Sequence, residues 1–462
     1  MKVVALDVPE LGTRAHLVHD GKVGLVVDPP RDVARVEQAA ELAGVEIVAV
    51  AETHVHNDYL SGGLALARRH GADYLVSADE QVDFPRAQVH DGDVVGVGDL
   101  TVTAVWTPGH TPTHLSFLVE STGEAGEAGA VFSGGSLLYG TVGRTDLVAP
   151  ESTEGLARAQ WSSARRLATL APDAGLYPTH GFGSFCAGSA VRQACEDVTV
   201  AGQHAANPAL TMSRDDFVTR LLSGFGPVPR YYPHMAPLNR AGAGARPVGE
   251  LVLASSGEVA AAVARGDWVI DLRPRSEFAE SHLAGTVNVE YGPQFATYVG
   301  WLAPWAGRHV LLVDDPDELD PPARDLAGIG VEGLRGHVLP CAESLQRPVG
   351  YRRTDWSGFL ERGAPGVVVD VRQRDEYDEG HLADALHIPI QDIEGRIDEI
   401  PSGEVWVHCR SGYRASIAAS LLRRAGRDVV HVDDSWDRAL ELGLDRLPGE
   451  ADVAGDTLDK GN

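Results

Sequence analysis

Two stretches of this chain repeat one another at a constant spacing. Val269-Ile270-Asp271-Leu272-Arg273 matches Val368-Val369-Asp370-Val371-Arg372, Glu277-Phe278 matches Glu376-Tyr377, and His282-Leu283-Ala284 matches His381-Leu382-Ala383, each pair 99 residues apart. Solenoid units run to about 20–50 residues, so a repeat this long is a pair of small domains. Each copy alternates strand-like and helix-like segments. That pattern predicts two α/β domains with parallel sheets, at residues 247–345 and 350–448.

Residues 1–240 predict a separate α/β unit with a β-rich start. Thr13 to Val27 reads as two strands about Asp20-Gly21, Val33 to Ala43 has helical spacing, and Glu46 to Val50 is a buried strand. A helix is predicted over 64–70. Two strands are predicted over 94–106, broken at Gly98-Asp99, and two more over 115–120 and 130–133. Pro227 to Arg246 holds four prolines and reads as a linker, although its aromatic centre Tyr231-Tyr232-Pro233-His234 implies packing against the first domain. The acidic tail, 449–462, is expected to be disordered.

Charge and cysteine content narrow the function. With 39 basic and 66 acidic residues the net charge is −27, which disfavours nucleic acid and anionic membranes as partners. No apolar run reaches the roughly 18 residues of a membrane span, and Met1 to Glu10 lacks a basic stretch leading into an apolar one, so a cytoplasmic location is expected. Cys186, Cys195, Cys341 and Cys409 are too few and too irregularly spaced for a disulfide scaffold and are expected as free thiols.

Cys409 stands apart from the other three. It follows the apolar stretch Val405-Trp406-Val407 and opens the run Cys409-Arg410-Ser411-Gly412-Tyr413-Arg414, which leads into a helical pattern. A thiol there faces a helix N-terminus and successive backbone N–H groups, with two guanidiniums nearby, a setting that favours a thiolate. This run, with the Asp-x-Arg and Glu-Tyr motifs before it, resembles the rhodanese family. The resemblance implies that Cys409 carries a persulfide sulfur and that the amides of Arg410, Ser411, Gly412, Tyr413 and Arg414 cradle it. In the first copy Asp314 is expected at the cysteine position, making 247–345 a rhodanese-like module without a nucleophile.

A second constellation lies in the first domain. His54-x-His56-x-Asp58 follows a strand, His110 sits on the turn Pro108-Gly109-His110-Thr111, and His180 closes Tyr177-Pro178-Thr179-His180. Imidazoles at i and i+2 beyond a strand can turn to one side and chelate, with His110 as a third ligand. These motifs resemble the metallo-β-lactamase fold, which implies an N-terminal αββα sandwich. The stretches Phe132-Ser133-Gly134-Gly135, Gly143-Arg144-Thr145-Asp146 and His180-Gly181-Phe182-Gly183-Ser184-Phe185-Cys186 are similar to persulfide dioxygenases. That resemblance implies one Fe(II) held by two histidines and a carboxylate. Here Gly135 stands where the carboxylate belongs, and Tyr59 where the fold commonly has histidine. A set of His54, His56 and His110 is complete; Asp58, Asp146 and His180 are further candidates, and Zn2+ is the alternative ion. Cys186 is read equally as a structural thiol or a sulfur relay.

The whole order is similar to bacterial fusions of a persulfide dioxygenase with sulfurtransferase domains. The substrates this implies are a small thiol persulfide and thiosulfate or sulfite, in a chain compatible with a homo-oligomer. Three alternatives remain open: a thioester hydrolase of glyoxalase II type carrying a sulfurtransferase domain, a sulfurtransferase with a non-catalytic first domain, and a scaffold.

Overall fold

The computed structural model describes residues 1–123, 128–182, 185–187, 198–244, 251–339, 348–363 and 366–444. Gly183, Ser184, Cys195, Cys341 and the acidic tail lie outside them. The chain divides into two compact units. The first comprises residues 1–249, 296–305 and 323–332, and the second comprises 250–295, 306–322 and 333–462.

In the first unit, strands β1 (Lys2–Val8), β2 (Thr13–His19), β3 (Val23–Val27), β4 (Glu46–Ala51), β5 (Asp73–Ser77) and β6 (Ala87–Val89) form one sheet in that order. A second sheet runs β11-β10-β9-β8-β7, built from β7 (Val94–Val97), β8 (Leu100–Trp106), β9 (Leu115–Ser121), β10 (Ala130–Gly134) and β11 (Gly175–Pro178). Side chains alternate along a strand, so each sheet has two faces to cover. Leu17, Val26 and Val50 pack with Val36 and Ala40 of α1 (Val33–Ala43) and Leu66 and Ala67 of α2 (Gly63–His70). Their neighbours Val18, Leu25 and Ala49 point the other way, onto Val102, Phe117 and Phe132 of the second sheet. The far face of that sheet packs Val105, Val131 and Leu176 on Ala164 and Leu167 of α3 (Thr153–Leu170) and on Phe217 of the helix Arg214–Ser223. Each large apolar side chain buried this way contributes about 1.5–3 kcal/mol. The three cores stack helix, sheet, sheet and helix: the αββα sandwich.

The segment read as a linker contains the helix Tyr232–Ala241. Pro233 falls in its first turn, where a missing N–H removes no helical hydrogen bond. Tyr231, Tyr232 and Met235 are buried in the first unit. Residues 296–305 and 323–332, from the expected second domain, also cluster there. The Leu60 N–H donates to Gly328 O at 2.8 Å, and Arg31 reaches Ala327 O at 2.7 Å and Glu332 at 2.8 Å.

The second unit holds two five-stranded sheets whose pairings are all parallel. The first is ordered Val252–Leu253, Arg335–Val338, His309–Val313, Trp268–Asp271, Val287–Asn288. The other is ordered Arg352–Thr354, Asp428–Val432, Glu404–His408, Val367–Asp370, Leu386–His387. Numbered within each module, both run 1-5-4-2-3, so the repeat extends from sequence to topology. Register corrects one detail. Asp271 pairs with Leu312 as Asp370 pairs with His408, so the residue equivalent to Cys409 is Val313, one before Asp314. The nucleophile is absent either way. No described helix is long and apolar enough to cross a membrane.

Candidate functional site

The first site lies where strands end. His54, His56 and Asp58 follow β4, His110 follows β8, and His180 follows β11. All five are buried. The His54 ring centroid lies 4.2 Å from that of His56, 4.7 Å from His110 and 5.2 Å from His180. All five residues expected from sequence therefore lie close together, but their donor atoms regroup: His180, expected as a weaker candidate, joins His54 and His110 in place of His56. Donor atoms lie within 4.8 Å of one another in two sets that share His180, one with His54 and His110, the other with His56 and Asp58.

Hydrogen bonds fix which nitrogen each ring presents. Thr53 Oγ1 donates to Asp28 Oδ2 at 2.7 Å, so it accepts from His54 Nδ1 at 2.9 Å and leaves Nε2 bare. Arg144 O can only accept, so His110 Nδ1, 2.7 Å away, carries the proton. His110 Nε2 is buried without a hydrogen-bond partner, as is His56 Nδ1. His54 Nε2 and His180 Nε2 face each other at 3.3 Å, and His180 Nδ1 is 3.3 Å from Asp58. Two ligands of one tetrahedral ion with bonds of about 2.0–2.1 Å stand at about that separation. A carboxylate behind a histidine is the usual outer partner of such a ligand. Buried polar atoms left bare cost free energy, so this donor set fits a metal ion.

Burial pushes His110 down to about 3 and His54 well below the usual imidazole value, so both rings are neutral and available as ligands. His56 is different. Its Nε2 lies 3.1 Å from Glu52, 3.3 Å from Asp28 and 3.0 Å from the Tyr59 hydroxyl. Burial pulls this ring down, yet Asp28 and Glu52 outweigh it and lift it to about 10. Tyr59 thus packs on His56 and hydrogen-bonds to it. Asp28 and Glu52 were not anticipated. The available signal was a carboxylate directly after an apolar strand in each case, Val27-Asp28 and Ala51-Glu52.

Three further residues take definite places. His114 is buried, stacks 5.0 Å from His54, and accepts the Gly135 N–H at 3.0 Å. Asp146 is spent on Arg144 through two bonds of 2.7 Å and is not a spare ligand. Cys186 is buried 3.9 Å from the Tyr232 hydroxyl; burial and the neighbouring Asp58 push its thiol well up, so it stays protonated. At Gly135 a Cβ would lie 2.6 Å from Cγ of His110. The His110 ring fills the space that a carboxylate side chain at 135 would occupy.

The second site is the Cys409 loop. The strand Glu404–His408 ends at Cys409, and the helix Tyr413–Arg424 starts four residues on. The Ala415 N–H donates to Cys409 Sγ at 3.4 Å, so the sulfur does face the helix N-terminus. Gly412 adopts a left-handed φ of 84°, and a Cβ there would fall inside the Asp433 carboxyl. Both demands exclude other residues. His431 holds Gly412 O at 2.9 Å, and the Trp436 N–H holds Arg410 O at 2.8 Å. Of the two expected guanidiniums, Arg410 is exposed, whereas Arg414 binds Glu376 through two bonds of 2.6 and 2.7 Å and braces the loop.

Comparison with known proteins agrees with this division. Residues 8–180 match the metallo-beta-lactamase superfamily, and residues 357–441 match the rhodanese-like domain. A human mitochondrial persulfide dioxygenase is 26% identical over 225 residues, 48% of this chain and 79% of that protein. A hydroxyacylglutathione hydrolase of Rhodopseudomonas palustris is 30% identical over 171 residues, 36% of this chain and 62% of that protein. A metallo-beta-lactamase crystal structure from Staphylococcus aureus superposes with a TM-score of 0.66 at 25% identity, over 73% of this chain and 99% of that one. The fold and the histidine–aspartate cluster together support a metal cofactor. The chain joins an N-terminal metallo-β-lactamase-fold domain to a C-terminal rhodanese-like domain.

Proposed function

We propose that this protein oxidises the outer sulfur of a small thiol persulfide at the histidine cluster and moves a second sulfane sulfur through Cys409. One observation carries the reading. A buried donor set with bare ligand atoms shares a chain with a cysteine whose sulfur accepts an N–H at a helix N-terminus. The ion would be held by His54, His110 and His180, with His56 and Asp58 as neighbouring donors. A bound ion, Fe(II) in preference to Zn2+, would supply open coordination positions and the redox chemistry that O2 requires. Thr53 and the Arg144 carbonyl fix the His54 and His110 rings, and Asp58 backs His180. Overall, persulfide, O2 and water give thiol, sulfite and two protons.

At the second site the Cys409 thiolate attacks the outer sulfur of thiosulfate. A new S–S bond forms, the old one breaks, and sulfite leaves with its electron pair. The Ala415 N–H, already at the sulfur, stabilises the thiolate. Run in reverse, the same step joins sulfite from the first site to a persulfide on Cys409.

A second reading, thioester hydrolysis on Zn2+, is favoured by the histidine-rich donor set and by the match to hydroxyacylglutathione hydrolases. Protein purified and iron-loaded without air separates the two. O2 uptake with glutathione persulfide that rises with bound iron supports the dioxygenase. Zinc content with thioester turnover and no O2 uptake overturns it.

A further inference from the structure

We propose that the cysteine-less module completes the sulfur-transfer site: Arg275 holds the Cys409 loop in its working shape through Asp433. The inference rests on Cys409 being the sulfur carrier. Arg275 opens the helix Arg275–Glu280 of that module. Its Nε meets Asp433 Oδ1 at 2.8 Å, its Nη1 meets Glu290 Oε2 at 2.7 Å, and its Nη2 donates to Ser411 O at 3.4 Å. Arg353 holds the other Asp433 oxygen at 3.0 Å. Asp433 is the carboxyl packed against Gly412, so whatever fixes Asp433 fixes the turn of the loop. A second tie runs alongside, from the Tyr413 hydroxyl to Glu290 O at 2.9 Å. A third, from the Asn288 N–H to Ser420 Oγ at 3.1 Å, holds the helix behind the loop.

The repeat supplies an internal control. Arg374 occupies the equivalent position, 99 residues on. Its side chain is 71% exposed, and its ion pair is to Asp378 of its own helix at 3.7 Å. The Arg275 side chain is 28% exposed and reaches an ion pair and a backbone oxygen in the other module. One position in one fold thus serves as surface in one copy and as a brace in the other. The backbone N–H that meets the sulfur is directional, and a misplacement of about 1 Å can cost a factor of about 100 in rate.

The test is thiosulfate:cyanide sulfur transfer by the full-length chain carrying Arg275→Gln, Arg275→Lys or Tyr413→Phe, with Cys409→Ala alongside. Arg275→Gln should lower kcat at least roughly tenfold while KM for thiosulfate moves much less. It should also shift the pH profile of Cys409 alkylation by iodoacetamide to higher pH, and Arg275→Lys should recover part of both. Wild-type kcat and an unchanged alkylation profile in Arg275→Gln, with Cys409→Ala inactive, overturn the inference. Transfer retained by Cys409→Ala overturns the carrier reading instead. If Arg275→Gln does not give a cooperative thermal transition, Tyr413→Phe decides: a several-fold fall in kcat supports the brace, and none overturns it.

Discussion

Each of His54, His110 and His180 presents a ring nitrogen to the same small space, and only the first and last have each other as partner there. Substituting any one by alanine should lower bound metal, read by elemental analysis of the purified protein; full occupancy in all three variants would refute the ligand assignment. His56→Ala should act on stability as well, because it leaves Asp28 and Glu52 buried without the cation between them. Breaking a buried pair this way costs about 3–5 kcal/mol, measurable by denaturant unfolding. Gly135→Asp tests the missing carboxylate. From sequence alone the substitution looks restorative, but the new side chain must displace the His110 ring, so metal retention should fall. The histidines themselves were legible because their spacing after strands is unusual. Asp28, Glu52 and His114 were harder, since a single carboxylate or histidine becomes informative only once folding places it beside another.

At the scale of elements, the helix Tyr232–Ala241 ties the metal loop to the rest of the first unit. The Asn239 side chain accepts from Ser61 N at 2.9 Å and donates to His56 O at 3.0 Å and Tyr59 O at 2.8 Å. Asn239→Ala leaves these buried groups unmatched. It should destabilise the protein by about 1–3 kcal/mol and weaken metal retention, checked by thermal unfolding with and without metal. The helix was not legible because its prolines read as breakers, although one lies in the first turn where proline is tolerated. Helix α3 was not anticipated because its buried face is largely alanine and serine, which gives little contrast in periodicity. Helix α1 and the early strands were legible for the opposite reason. They alternate valine, isoleucine and leucine with polar residues, and α1 stops at Gly44 in a left-handed conformation.

For the whole molecule, several buried histidines set the response to acid. Burial lowers His16 and His110 to about 3 and His282 and His431 to about 4, against an ordinary value near 6.5. An unfolded chain binds protons at these rings below about pH 6.5 while the folded chain refuses them. The metal-free protein should therefore lose stability steadily as pH falls from about 6.5 towards 4, seen as a falling Tm; a flat Tm over that range would contradict the assignment. His56 acts in the other direction: its contribution is complete below about 6.5 and is lost as pH rises through about 10. The repeat was readable because it survives in sequence and returns as a shared strand order, whereas the reach of Arg275 was not, since it depends on how two copies pack. The register that places Val313 opposite Cys409 has one more implication, about reversibility. Counting on from Val313, the position of Gly412 falls to Pro316, which has no N–H to offer and cannot take a positive φ. Val313→Cys alone should accordingly give no sulfur transfer in a Cys409→Ser background. The cysteine-less module lies several coordinated changes away from catalysis, which leaves its surface free to specialise in supporting its twin.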